Sequence, residues 1–178
     1  MELYRRNNPN EIIILAFLCL LLEAILIVSD VLTFKTAGFL GIIFTLPALL
    51  YPMSYAIGDT LTEVYGRKAT LIIFIMAICI EFIFDSLISY SATVKNVYDQ
   101  AYYAHFYYAL GKMNIAGLGV VIGSVLGFST NTIIMQFLKT KFSYRSFPIR
   151  SIFSSLSGEL IFTITAFFIW FHSDPQIN

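Results

Sequence analysis

Apolar residues fill this chain in long runs, and polar residues gather in the short stretches between them. Five runs approach the roughly 20 apolar residues that cross a hydrocarbon core of about 30 Å. They are Ile12–Val28, Gly38–Tyr65, Ala69–Tyr90, Ile115–Leu138 and Ile149–Phe171. The pattern predicts an all-α, polytopic transmembrane helix bundle of five spans, a single transmembrane domain over residues 1–178. The second run is too long for one straight span, at about 42 Å for ~1.5 Å per residue. Pro47 and Pro52 each remove a helix hydrogen bond, so a kink or break is expected near Leu46–Met53. Gly66 is placed to cap the end of this helix, because glycine takes a positive φ cheaply. Arg67 and Lys68 follow at the negative end of its dipole. The stretch from Ser91 to Met113 carries Tyr98, Tyr102, Tyr103, Phe106, Tyr107 and Tyr108. It reads as a short amphipathic segment in the membrane interface, or as a lid whose rings stack on a ligand.

Composition agrees with the runs. Of the 178 residues 58% are apolar and 12% charged, and the mean hydropathy is +0.78. A soluble domain carries about a quarter charged residues. No small-residue cleavage site follows a short apolar core, so the N-terminus is not read as a signal peptide. The net charge of zero gives no reason to expect a nucleic-acid partner. Cys19 and Cys79 both fall inside apolar runs and read as small core residues. Lys and Arg fall unevenly between the two sides. Arg5, Arg6, Arg67, Lys68, Lys139, Lys141, Arg145 and Arg150 lie on one side, and Lys35, Lys95 and Lys112 on the other. The bias predicts a cytoplasmic N-terminus and, with five spans, an external C-terminus near His172 and Asp174, with Trp170 at the outer interface.

Seven acids lie in or near the runs: Glu23, Asp30, Asp59, Glu63, Glu81, Asp85 and Glu159. Each costs about 2.5–3.5 kcal/mol at a helix centre on the insertion scale. Asp59 and Glu63 share a helix face at i,i+4, repel one another and sit near a negative dipole end. Either they form a charge cluster with Arg67 and Lys68 that fixes topology, or they belong to a ligand or gating site. Glu81 and Asp85 repeat the spacing; Glu81 lies deeper, and Asp85 sits toward the outer end. Asp30 reads as an interfacial acid. Glu159 follows Ser154, Ser155, Ser157 and Gly158, a small and polar run that suits close helix packing or leaves room for a ligand. Gly119, Gly123 and Gly127 give the fourth helix a bare face, which reads first as a packing face. No metal-ligand spacing, Ser/His/Asp constellation or phosphate loop is present, so neither an enzyme nor an ATP motor is expected.

The stretch PALLYPMSYAIGDTLTEVYGRKA resembles the signature of the queuosine precursor transporter family, also called the vitamin uptake transporters. Pro52, Tyr55, Asp59, Thr62, Glu63, Val64, Tyr65, Gly66, Lys68 and Ala69 match it. A second match is an Arg before a Ser-rich helix, here Arg150, Ser154, Gly158, Glu159 and Thr163. The chain departs from the pattern at Phe162 and Asn131, where the family usually carries Asp, and at the start of the fourth helix, where the family usually carries an Arg and Asn114 or Ile115 stands here. The family has six helices. The resemblance implies import of 7-cyano- or 7-aminomethyl-7-deazaguanine, across a bacterial inner membrane and with no cofactor. The partners it implies are a modified purine and the bilayer, with a homo-oligomer allowed. On that basis Glu81, Glu159, Asn131, Ser155 and Tyr55 are expected to bind substrate, a carboxylate pairing with the N–H edge of the base. Asp59, Glu63, Arg67 and Arg150 are expected to line or gate the cytoplasmic half of the pathway. Two other classes fit the sequence: a substrate-capture subunit served by a separate ATPase, and a membrane assembly subunit held by the glycine face.

Overall fold

A computed structural model describes residues 9–33, 35–95, 100–111, 113–141 and 146–173. The chain runs α1 (Pro9–Val31), β1 (Thr36–Phe39), β2 (Ile42–Thr45), α2 (Pro47–Tyr65), α3 (Arg67–Thr93), α4 (Gln100–Leu110), α5 (Met113–Lys141) and α6 (Phe147–Ser173). The all-α bundle expected from the runs is present, and α1, α3, α5 and α6 are each long and apolar enough to cross a membrane.

The second run departs from expectation. Gly38–Thr45 is not helical, and its excess length is taken up by an antiparallel hairpin pairing Thr36 with Thr45 and Phe39 with Ile42. Leu40 and Gly41 form the turn, both at positive φ (50° and 80°), the two-residue geometry that suits the twist of paired strands. Phe39, Leu40 and Ile43 are 69–86% exposed, an apolar tip suited to the membrane interface. Pro47 therefore opens α2, where its missing N–H is no loss, while Pro52 lies inside the helix and deprives the Ala48 carbonyl of its i+4 donor.

Helix α2 touches α1, α3, α5 and α6. Its 19 residues span about 28 Å at ~1.5 Å per residue. Nearly half are buried, among them Tyr51, Ser54, Tyr55, Asp59 and Thr62. Its polar side chains lie on the face packed against the other helices, where lipid does not reach them, while Leu49, Met53 and Val64 are exposed. The outer helices instead expose Ile, Leu and Phe all along their lengths. Gly66 divides α2 from α3 with φ 84° and ψ 161°, its N–H donating to the Thr62 carbonyl at 3.1 Å. The positive φ was expected; the extended ψ lets α3 begin at the next residue instead of after a loop. Arg67 and Lys68 are accordingly the first residues of α3.

The glycine face packs. A Cβ on Gly127 would stand 2.9 Å from the Phe162 Cβ and 3.0 Å from the Gly158 carbonyl oxygen. One on Gly158 would stand 2.9 Å from the Asn131 Cβ and from the Gly127 carbonyl oxygen. α5 and α6 meet there backbone to backbone. Tyr55 fills the notch above them with its ring against Phe128 at 4.9 Å, and Phe74 stacks on Phe128 at 3.9 Å. Part of the aromatic stretch after α3 forms α4, whose Tyr102, Tyr107 and Tyr108 are exposed. Cys79 is exposed and Cys19 half-buried, so neither is the core residue expected. Arg5, Arg6, Tyr98, Lys112, Arg145 and Asp174 lie outside the described residues, as do the side chains of Trp170 and His172.

Candidate functional site: a buried carboxylate knot and an aromatic cavity

The signature acids sit where α2, α5 and α6 converge. Asp59 is fully buried and accepts from four side chains. Asn131 Nδ2 donates to its Oδ1 at 3.0 Å, Ser151 Oγ to its Oδ2 at 2.6 Å and Ser155 Oγ to Oδ2 at 3.1 Å. Ser154 Oγ lies 3.1 Å from both oxygens. The serines at 151, 154 and 155 share one face of α6 because i, i+3 and i+4 do, and that face is turned to α2. One turn along α2, Glu63 accepts from Arg150 Nη2 at 3.0 Å. Lys139 Nζ lies 3.8 Å from the other Glu63 oxygen and donates to its backbone carbonyl at 2.7 Å. The like-charge conflict at Asp59 and Glu63 is thus resolved by other helices, with Arg150 and Lys139 as the partner cations rather than the adjacent Arg67 and Lys68 alone.

A cavity of about 270 Å³ opens at the opposite end of the bundle, beneath the hairpin. Tyr51, Thr45, Glu159, Phe162 and Thr163 line it. Tyr51 and Phe162 stack at 4.5 Å with their planes 24° apart, forming a flat aromatic wall. Glu159 Oε1 accepts from Thr163 Oγ1 at a long 3.4 Å, and Oε2 meets no donor among the described residues. Ala48, whose carbonyl lost its helical donor to Pro52, is on the same wall. Phe162 supplies half of the aromatic stack.

The residues expected to bind substrate therefore part company. Glu159 lines the cavity. Tyr55 lies within electrostatic range of Glu159, and its hydroxyl has no partner among the described residues. Asn131 and Ser155 belong to the Asp59 knot. Glu81 is elsewhere again: it is buried with Asp30 and Asp85 between α1 and α3. Asp30, in the last turn of α1, is 4% exposed, and Asp85 is equally buried. Tyr51 and Phe162 do not stand out in the sequence. Both occur among many aromatics, and only the hairpin and the register of α2 on α6 single them out.

Four long apolar helices packed with α2, and a carboxylate and stacked rings lining a cavity toward one end of the bundle, define a multi-pass membrane protein. Residues 45–177 match the family model described as "Putative vitamin uptake transporter", and the chain belongs to that family. No curated protein and no solved structure matches it.

Proposed function

We propose that the protein imports a queuosine precursor, a 7-deazaguanine such as 7-cyano- or 7-aminomethyl-7-deazaguanine, into the cytoplasm across a bacterial inner membrane. The observation that carries the reading is the pairing of a free carboxylate oxygen on Glu159 with the Tyr51–Phe162 wall. A deazaguanine presents a flat ring to stack and adjacent N–H and NH₂ donors that one carboxylate accepts together. The Thr45 and Thr163 hydroxyls and the Ala48 carbonyl supply further partners for its polar rim. A neutral heterocycle asks for such a site, apolar walls with few placed polar groups.

Direction follows from charge. Lys139, Arg150, Arg67 and Lys68 gather at the Asp59–Glu63 end of the bundle, and the cavity opens at the other. Basic residues favour the cytoplasmic side, so the cavity faces outward and the knot closes the inner half. In this arrangement Glu159 reads the base edge, while Asp59, Glu63 and Arg150 hold α2, α5 and α6 together below it.

Cells unable to make 7-deazaguanines, expressing this protein, should incorporate externally supplied 7-cyano-7-deazaguanine into tRNA. Losing one buried bidentate contact should cost Glu159→Gln about 10- to 100-fold in apparent affinity. Full uptake by Glu159→Gln would refute the base-reading role. Absence of uptake by the wild type would refute the substrate.

A further inference from the structure

Asp30 of α1 faces Glu81 and Asp85 of α3, near enough for the carboxyl groups to exchange hydrogen bonds. All three are at most 4% exposed, and Glu81 is 1% exposed. A separate observation distinguishes this cluster from the Asp59 knot: neither oxygen of Asp30 and neither oxygen of Glu81 meets a donor among the described residues. Nine-tenths-buried carboxyls elsewhere in proteins are paired or hydrogen-bonded.

Among the described residues no cation pairs with Asp30 or Glu81. Glu23 of α1 adds another acid within range of Glu81. Tyr51 of α2 is within electrostatic range of Glu81 and Asp30, and from α5 Ser124 reaches the Tyr51 hydroxyl at 3.5 Å. The described basic residues of α5 are Lys139 and Lys141, at its far end, and α4 offers tyrosines and an exposed His105. Three carboxylates in so dry a place cannot all stay charged, since their repulsion and desolvation are both unscreened. Among the described residues no acids are arranged to hold a metal ion. A proton is the cation that needs no cavity, and carboxyls within hydrogen-bonding reach of one another can share it.

Tyr51 connects this cluster to the cavity. Its hydroxyl lies within electrostatic range of Glu81 and Asp30, and its ring is one half of the aromatic wall. We propose that Asp30, Glu81 and Asp85 form a proton-binding site, and that Tyr51 couples its occupancy to the ligand cavity, so that substrate import is driven by protons. A cluster that loses its shared proton repels itself and favours a different seating of α1 on α3. Tyr51 is the side chain that carries this change to the cavity. The inference rests on the transporter reading above, and its first test does not depend on the substrate.

Infrared spectra of the purified full-length protein, titrated around neutral pH, should contain protonated-carboxyl absorption that both Asp30→Asn and Glu81→Gln diminish. Absorption unaltered by either variant, or none in the wild type, would overturn the site. In proteoliposomes containing a pH-sensitive dye, 7-cyano-7-deazaguanine is the probe. A gradient of one pH unit, acid outside, should support about tenfold accumulation for one coupled proton, with the dye reporting inward proton flow. Asp30→Asn should retain downhill exchange and lose the accumulation. Accumulation at the wild-type level in both Asp30→Asn and Glu81→Gln would overturn the coupling. Should the wild type ignore this probe altogether, the substrate assignment fails while the infrared result still decides the proton site.

Discussion

Replacing Asp59 by alanine removes the acceptor at the meeting point of three helices. Four donors are deprived of a partner: Asn131 Nδ2 and the hydroxyls of Ser151, Ser154 and Ser155. They do not suffer equally. Ser154 Oγ also lies 2.9 Å from the Arg150 carbonyl and 3.0 Å from that of Ser151, so it keeps a bond within α6. Ser151 and Ser155 are half-buried and can rotate to a carbonyl one turn back, at little cost. Asn131 is fully buried on α5 and its amide is left orphaned, which costs about 1–3 kcal/mol. Interhelical hydrogen bonds in membrane proteins average about 0.6 kcal/mol. With the amide orphaned and two or three such hydrogen bonds broken, Asp59→Ala should destabilise by about 2–4 kcal/mol. For a chain of this size that lowers the melting temperature by about 4–16 °C. Asp59→Asn keeps one acceptor oxygen for Asn131 or a serine and should lose roughly half as much. Thermal unfolding in mild detergent, followed by circular dichroism, measures both. An Asp59→Ala protein melting within a degree of wild type would refute a structural role for the knot and return Asp59 to the pathway.

The ion pairs should separate by burial. Arg150 is 6% exposed, so Glu63→Ala strands a buried charge and should cost about 3–5 kcal/mol, whereas Lys139→Ala removes a part-exposed pair worth under about 1 kcal/mol. Chemical unfolding of the two variants checks the order, and equal effects would contradict it. Gly158→Ala should destabilise by about 1–3 kcal/mol through overpacking against the Gly127 backbone, while Gly38→Ala, whose Cβ meets nothing within 4 Å, should stay within about 0.5 kcal/mol. A Gly158→Ala protein as stable as Gly38→Ala would show that α5 and α6 part freely.

Much of this architecture is written in hydropathy, because a helix facing lipid must be apolar wherever it is exposed. That rule located α1, α3, α5 and α6. It blurred α2 and the hairpin for the same reason: Phe39–Phe44 is an apolar run broken only by Gly41, which periodicity cannot divide between a span and a pair of interfacial strands. The usable signal was Gly41 beside the β-branched Ile42 and Ile43. The apolar run also ended α1 at Val28, three residues early, and so left Asp30 outside the membrane reading. Within the site, the i,i+4 spacing exposed both acid pairs, Asp59 with Glu63 and Glu81 with Asp85. Their partners come from other helices, and a helix face does not reveal which neighbour it will meet. Ser155 and Asn131 were therefore visible as polar positions but not as donors to Asp59.

Hydrogen bonding separates the acids of this chain more sharply than depth or charge does. Asp59 is bonded by four side chains, and Glu63 has two cations. Asp59, bonded at both oxygens, has nothing left to offer a substrate without first breaking the helix junction it holds, while Glu63 is tied by Arg150 at Oε1 and keeps Oε2 without a hydrogen-bond donor. Glu81 and Asp30 are as deeply buried yet have no donor among the described residues, and Glu159, which lines the cavity, has one buried oxygen without a donor. A buried acid without a partner is expensive, and its retention calls for a use that its neighbours do not supply: a ligand N–H at Glu159, a proton at Glu81 and Asp30. On this view, exchanging the cavity residues Phe162 and Thr163 should alter which base is carried while leaving the melting temperature nearly fixed, and exchanging Ser151 or Ser154 should do the reverse. Competition by a panel of purines against labelled 7-cyano-7-deazaguanine, run beside thermal unfolding, tests the division. Selectivity and stability moving together in both sets would refute it.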